Sequence, residues 1–264
     1  MRLKISHMTE YSYDEPVEFA LQRLRLTPKD GPGQKVISWM TTVSGVQNEA
    51  QYEDHFGNIV ELVSVIDGAE RISIMAMGEV ETEELNGVFG AHIGHVPLWL
   101  FKRETALTKP GKFMRELGKQ IDADGDLARM HQLMELVHTT LEYRKNATDS
   151  KTTAEQALEQ GAGVCQDHAH VFIGIARMLG LPARYVAGYM FDTSDMAAAS
   201  HAWAEAHLPG LGWVGFDPAN KICPDQRYVR VAHGLDAEDT APVSGMRLGN
   251  SPEMISVTVS VEQQ

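Results

Sequence analysis

Three residues in the second half of the chain carry the groups needed for nucleophilic acyl transfer: Cys165, His201 and Asp217. Cys165 lies in GAGVCQDHAH, Gly161 to His170, where a glycine-bounded loop gives way to a helical pattern. A helix start offers unpaired backbone N–H groups and the positive end of the helix dipole, a setting that favours thiolate, the nucleophilic form of a cysteine. His201 lies in HAWAEAH and Asp217 in GWVGFDP, both of which read as strands. An imidazole so placed takes the thiol proton and later returns one to a leaving amine. A carboxylate on the other ring nitrogen fixes the tautomer and stabilises imidazolium. The backbone N–H groups of Cys165 and Gln166 would face the developing oxyanion.

Each residue has a plainer reading beside this one. A cysteine at a helix start can be simple packing, which is the default for Cys223 in KICPD. Cys165 with His168 and His170 could suggest zinc, but His170 is five residues on, about 500° around a helix, and leaves that face, so no metal is expected. Asp167, His168, Trp203 and Trp213 are candidates for a substrate cleft. Helix-surface polarity is the alternative for the first two and core packing for the tryptophans. Glu205 and His207 alternate with His201 and read as solvent-facing. Asp192 and Asp195 are rival partners for His201, less precisely held than a strand-end Asp217 because they fall in a loop.

The elements that must position these groups follow from periodicity. Val164, Val171, Phe172, Ile175 and Leu179 form one apolar face of a buried helix over about 164–179, stopped by Gly180 and Pro182. Strands are expected at 183–191, 201–208 and 212–217, with a last one at 254–261. In HAWAEAH the small Ala202, Ala204 and Ala206 share a face suited to packing against that helix. Helices are also expected at 113–120, at 127–143 capped by Asp124 or Asp126, and from Thr152 or Thr153 to Glu159. Residues 1–83 read as strands broken by glycine turns, a small antiparallel β-sandwich in which His7 and His55 are structural or surface groups. The expected division is an N-terminal β-rich domain over 1–83, a connecting segment over 84–110 and a core over 111–264.

A net charge of -13 with no Lys/Arg run excludes a phosphate-tracking surface, so no nucleic-acid partner is expected. The first residues contain no apolar run like a signal peptide and no segment is long and apolar enough to span a bilayer, so a cytoplasmic protein away from membranes is expected. Two cysteines, far apart, support neither a disulfide framework nor a zinc ribbon, and suit a reducing compartment.

The segments GAGVCQDHAH, LPARYVAGY, SHAWAEAHLPGLGWVGFDPAN and DAEDTAPVSG resemble the bacterial transglutaminase-like superfamily, in its cysteine peptidase-like branch with an N-terminal β-rich domain. The motifs occur in that family's order, with 36 residues from Cys165 to His201 and 16 from His201 to Asp217. The resemblance implies an α+β fold, a papain-like transglutaminase core with a nucleophile helix packed on an antiparallel sheet. It implies Cys165 as nucleophile, His201 as base, Asp217 as orienting acid, no metal and no cofactor. The expected activity is cleavage of an amide, isopeptide or peptide bond in a peptide or protein substrate through a Cys165 thioester, with hydrolysis favoured. A protein-glutamine transglutaminase with an amine acceptor is the alternative, and a non-catalytic peptide-binding module on the same fold is the alternative of another class.

Overall fold

The structure, a computed structural model, describes residues 1–65, 68–192, 200–248 and 252–264. The N-terminal strands are β1 (Arg2–Val17), β2 (Ala20–Leu24), β3 (Gln34–Ser44), β4 (Val46–Glu53), β5 (Ile59–Val65) and β6 (Ala69–Thr82). Strict alternation along β1 buries Leu3, Ile5, His7, Thr9, Tyr11 and Tyr13, the period expected of a strand with one covered face. A register shift between Ser12 and Val17 takes up the Asp14 to Pro16 stretch, so β1 runs through it. Strand β4 was not foreseen because its side chains are exposed after Val46, which leaves no apolar alternation to read.

Next come β7 (Val88–Gly90), a 3-10 turn at Leu98–Lys102, α1 (Lys112–Gly118), α2 (Asp126–Thr140), β8 (Glu142–Tyr143), α3 (Ala154–Gln160), β9 (Ala162–Gly163) and α4 (Cys165–Met178). Strands β10 (Ala183–Met190), β11 (Ser200–Leu208), β12 (Gly212–Phe216) and β13 (Tyr228–Gly234) then lead to α5 (Ala237–Thr240), β14 (Val243–Arg247) and β15 (Glu253–Gln263). The fold is α+β with antiparallel sheets ordered β15-β1-β6-β3, β14-β2-β5-β4 and β13-β10-β11-β12-β7. Among the described residues no helix is long and apolar enough to cross a membrane.

Helix α4 is the hub of the second half. Val171, Phe172, Ile173 and Ile175 are fully buried, each contributing about 1.5–3 kcal/mol of burial. Ala202, Ala204 and Ala206 of β11 lie in the same core cluster as Ala169, Phe172 and Ile175, so the alanine face of HAWAEAH is the one that meets the helix. Thr153 caps α3 through a capping box with Gln156, as its position suggests. Neither Asp124 nor Asp126 caps α2. Gly125 holds the N-cap with no side-chain bond, and Asp126 instead lies 3.6 Å from Arg129 in an i,i+3 ion pair.

The sheets do not follow the expected division of the chain. Strand β15 pairs with β1 from Leu3↔Gln263 to Tyr13↔Glu253, and β14 pairs with β2, so the C-terminal strands complete the N-terminal sandwich. Val259 and Val261 pack with Leu3, Ile5, Tyr189 and Val229 where the sandwich meets the five-stranded sheet. Within 84–110, β7 forms the edge of that sheet by pairing with β12. Spacing along the chain carries no record of such returns, since sheet partners are chosen by edges left open elsewhere. His7 is buried at this junction, its Nδ1 2.8 Å from the Tyr189 hydroxyl.

Candidate active site

Local sequence places Cys165 at the first turn of α4. Gly161 ends α3 in the left-handed region at φ 70°, a conformation glycine adopts without penalty. Ala162 and Gly163 pair in parallel with Glu142 and Tyr143, and Val164 is extended before the helix begins. Valine has no side-chain acceptor for the helix N–H groups, and the bond runs the other way. Asp167 Oδ2 accepts the Val164 N–H at 2.8 Å and the Thr148 hydroxyl at 2.6 Å. Gly163 is required because a Cβ there would stand 2.6 Å from Asp167 Cβ. The N–H groups of Cys165 and Gln166 belong to the first turn, where no intrahelical acceptor exists.

His201, at the start of β11, is almost fully buried. Its Nε2 lies 2.6 Å from Asp217 Oδ2. The Cys165 side chain stands close enough to this ring to act on its charge. Burial by itself would depress this imidazole, but Asp217 and Cys165 outweigh it and raise the pKa from 6.5 to about 10.

Asp217 terminates β12, where Pro218 stops the strand and the carboxylate closes a turn over FDPAN. Oδ1 accepts the N–H groups of Ala219 at 3.0 Å and Asn220 at 3.2 Å. Oδ2 accepts the Tyr228 hydroxyl at 2.7 Å and the Asn220 amide at 2.8 Å, beside His201. Burial pushes this carboxyl upward, yet the bonds from His201, Tyr228 and Asn220 prevail and hold it below the usual carboxylate range. Tyr228 stays protonated, since burial and the neighbouring carboxylate both raise its pKa. Cys165, His201 and Asp217 are thus brought together, in a geometry able to move a proton from thiol to imidazole while the carboxylate fixes the ring.

The other expected site residues are distributed differently. Trp203 stacks on His201 with ring centroids 6.2 Å apart, but it is fully buried against Val186 and Tyr228, so it backs the imidazole and lines no cleft. Trp213 pairs with His207, six residues beyond His201 on β11 and so about 20 Å away. It packs on Phe101 and takes no part in the site. Asp167 is fully buried, and burial raises its carboxyl. His168 is also buried, its ring nitrogens each 2.9 Å from the carbonyl oxygens of Val164 and Leu141. Both therefore shape the loop that presents Cys165 and neither is a cleft residue. His170 points to the opposite side, where its Nε2 accepts the Ala237 N–H at 3.1 Å. Glu205, expected at the surface, is fully buried in an ion pair with Arg184. Of the rival carboxylates, Asp195 lies outside the described residues, and Asp192 is exposed with its field on Arg227.

Two residues that hold the site were not singled out from sequence. Asn220 was legible in principle, three residues after Asp217 at an Asx-turn spacing. Tyr228 was not, because it reaches Asp217 from β13 through the pairing of Met190 with Tyr228 across β10.

The family model described as Transglutaminase-like superfamily matches residues 115–218, and that described as Bacterial transglutaminase-like N-terminal region matches residues 3–81. The crystal structure of "a Putative Cysteine Protease from Cytophaga hutchinsonii" superposes with a TM-score of 0.80 at 21% identity, covering 100% of this chain and 91% of that one, a likeness of fold. An uncharacterised protein of Mycobacterium leprae is 27% identical over an alignment of 282 residues, 98% of each chain. A protein-glutamine gamma-glutamyltransferase of Pseudomonas aeruginosa is 29% identical over 122 residues, 40% of this chain and 18% of that protein. The two matched regions between them take in most of the chain, which belongs to the transglutaminase-like superfamily, with the bacterial N-terminal region preceding the core.

Proposed function

We propose that this protein is a thiol acyl-transfer enzyme that hydrolyses an amide, isopeptide or peptide bond of a peptide or protein, with Cys165, His201 and Asp217 as its catalytic triad. The observation that carries the reading is a thiol at a helix start, beside an imidazole whose Nε2 rests on a buried carboxylate with four further donors. His201 holds the proton given up by Cys165, and Sγ forms a bond to the carbonyl carbon. The N–H groups of Cys165 and Gln166 receive the oxyanion. His201 then protonates the leaving amine as the C–N bond breaks, leaving a thioester. A water attacks that thioester and gives a proton to His201, and the C–S bond breaks to release the acid and leave the thiolate beside the protonated ring.

Water is favoured as acceptor because the full-length likeness of fold is to the "Putative Cysteine Protease", whereas the likeness to a glutamyltransferase spans 40% of this chain. Both free thiols suit a reducing compartment. The test is to incubate the protein with a mixed peptide library in the presence of a primary amine and to follow products and intact protein by mass spectrometry. New carboxyl termini or deamidated glutamines, with an acyl adduct on Cys165 in trapped samples, are the expected outcome. Amine-modified glutamines alone would assign the transferase alternative. Peptide retention without any adduct or product would assign a binding module.

A further inference from the structure

The face of the five-stranded sheet that points away from α4 encloses a second, separate feature. Tyr185, Ala187, Ala204 and Val214 turn toward the helix core, and the residues between them turn the other way, toward loops of the N-terminal domain. There they wall a cavity of about 280 Å³, lined by Arg184, Glu205, Trp213, Arg230, His233 and Phe89 among others. Its size is near the lower end for small-molecule sites.

Most polar groups of the wall are spent on each other. Gln34 accepts the Arg230 N–H at 2.8 Å and donates to the Arg230 carbonyl at 2.9 Å. Asn58 does the same for His233, at 2.9 Å in each direction. These side-chain amides act as strand partners for β13 and fix the wall. Arg184 is held over the Trp213 ring at 4.1 Å and Arg230 over the Phe89 ring at 4.3 Å.

Glu205 is the exception. Its Oε2 takes both Nε and Nη2 of Arg184, at 2.8 and 2.6 Å. Its Oε1 lies 3.6 Å from Arg230 Nη1, beyond hydrogen-bond range, and makes no hydrogen bond although the residue is fully buried. A buried carboxylate oxygen without a donor is costly, and with Lys29 paired to Glu53 at 2.8 Å and Asp30 to Lys35, two guanidinium groups around one carboxylate leave an excess of one positive charge.

We propose that this cavity binds a small monocarboxylate with an N–H or O–H donor on the adjacent carbon, of acylated amino-acid or peptide C-terminal type. The carboxylate answers Arg230, whose Nη2 also donates to the Pro32 carbonyl at 3.1 Å, and the Nη1 of Arg184, and the donor answers Glu205 Oε1. An acceptor-only anion such as phosphate supplies no donor and meets the Glu205 charge. The site lies on the face of the sheet away from Cys165 and stands independently of the proposed reaction.

The experiment titrates the full-length protein with N-acetylglycine, N-acetylsarcosine (no N–H), N-acetylglycinamide (no carboxylate) and inorganic phosphate. The Trp213 indole N–H and the Arg184 and Arg230 Nε–H resonances report occupancy. N-acetylglycine is expected to bind saturably, in the millimolar range or tighter, with the other three weaker by about tenfold or more. Arg230→Gln, at the more open edge of the site, should weaken N-acetylglycine by a similar factor with the remaining spectrum unchanged. No saturable shift at these resonances, equal affinity for all four probes, or wild-type affinity in a folded Arg230→Gln protein would overturn the assignment. Should that variant not fold, the probe series on the wild-type protein decides alone.

Discussion

Tyr228 donates its hydroxyl over 2.7 Å to Oδ2 of Asp217, the same oxygen that holds the His201 ring. The phenol therefore fixes the carboxylate rather than the imidazole, and acts on the reaction through it. Tyr228→Phe keeps the ring packing against Trp203 and removes only this bond. A hydrogen bond to a charged group contributes about 1.5–3 kcal/mol, so kcat is expected to fall about tenfold or more with KM little changed. The His201 titration should shift with it. A purely structural role would lower thermal stability and leave both kcat and the His201 titration in place.

The His201–Asp217 pair should also set a pH window of stability. His201 has a folded pKa raised to about 10 from 6.5, so its contribution is complete below 6.5 and is lost as pH rises toward 10. Asp217 is held low, so its contribution is present above the ordinary carboxylate range and is lost as pH falls through its lowered value. In urea titrations the stability advantage of the wild type over Asp217→Asn should therefore shrink as pH rises from 6.5 to about 10. The His201 ring should remain protonated at mildly alkaline pH in the wild type and titrate lower in the variant. A wild-type ring titrating at its ordinary value would contradict the pairing.

Gly163→Ala tests how the loop presents the thiol. The added Cβ would stand 2.7 Å from Asp167 Oδ2, the atom that anchors the Val164 N–H. Displacing that carboxylate is expected to cost about 1–3 kcal/mol of stability and to slow alkylation of Cys165 without affecting Cys223. Parallel denaturation curves and mass-resolved alkylation rates check both.

The grouping of Cys165, His201 and Asp217 was legible because two of the three are announced by local grammar. A cysteine after glycines opens an apolar helix, and an aspartate before proline ends a strand. The histidine followed from its place in the motif order and the resemblance, and strand period grouped the three alanines on one face without deciding that it meets α4. What could not be read were groups whose partners are far away in the chain. Glu205 looked solvent-facing by alternation, yet Arg184 on β10 and the loop over it close that side. Asp167 and His168 looked like helix-surface polarity, yet Thr148 and Leu141 receive them from preceding segments. Periodicity reports which residues share a face and is silent on what covers it.

The same limit explains the C-terminal strands. Met254, Ile255 and Val257 are exposed, while Val259 and Val261 are buried where β15 covers β1. Deleting residues 252–264 would open the β1 edge and expose the Leu3 and Ile5 cluster. The loss is expected to reach about 3 kcal/mol or more from the two valines alone, a fall in Tm of roughly 6 °C or more. Hydrogen-exchange protection should drop first along β1. Unchanged protection there would place the last strand elsewhere in the molecule.

The most direct test of the account is the rate of iodoacetamide alkylation of Cys165 and Cys223, resolved by peptide mass spectrometry across mildly acidic to mildly alkaline pH. It is made in the wild type, His201→Ala and Asp217→Asn. Cys223 serves as the internal reference, because burial raises its pKa and keeps it a thiol. In the wild type Cys165 should react faster than Cys223 at the acidic end of the range. That advantage should disappear in His201→Ala and shrink in Asp217→Asn. Equal and parallel reactivity of the two cysteines in all three proteins would contradict an activated Cys165 and remove the acyl-transfer reading.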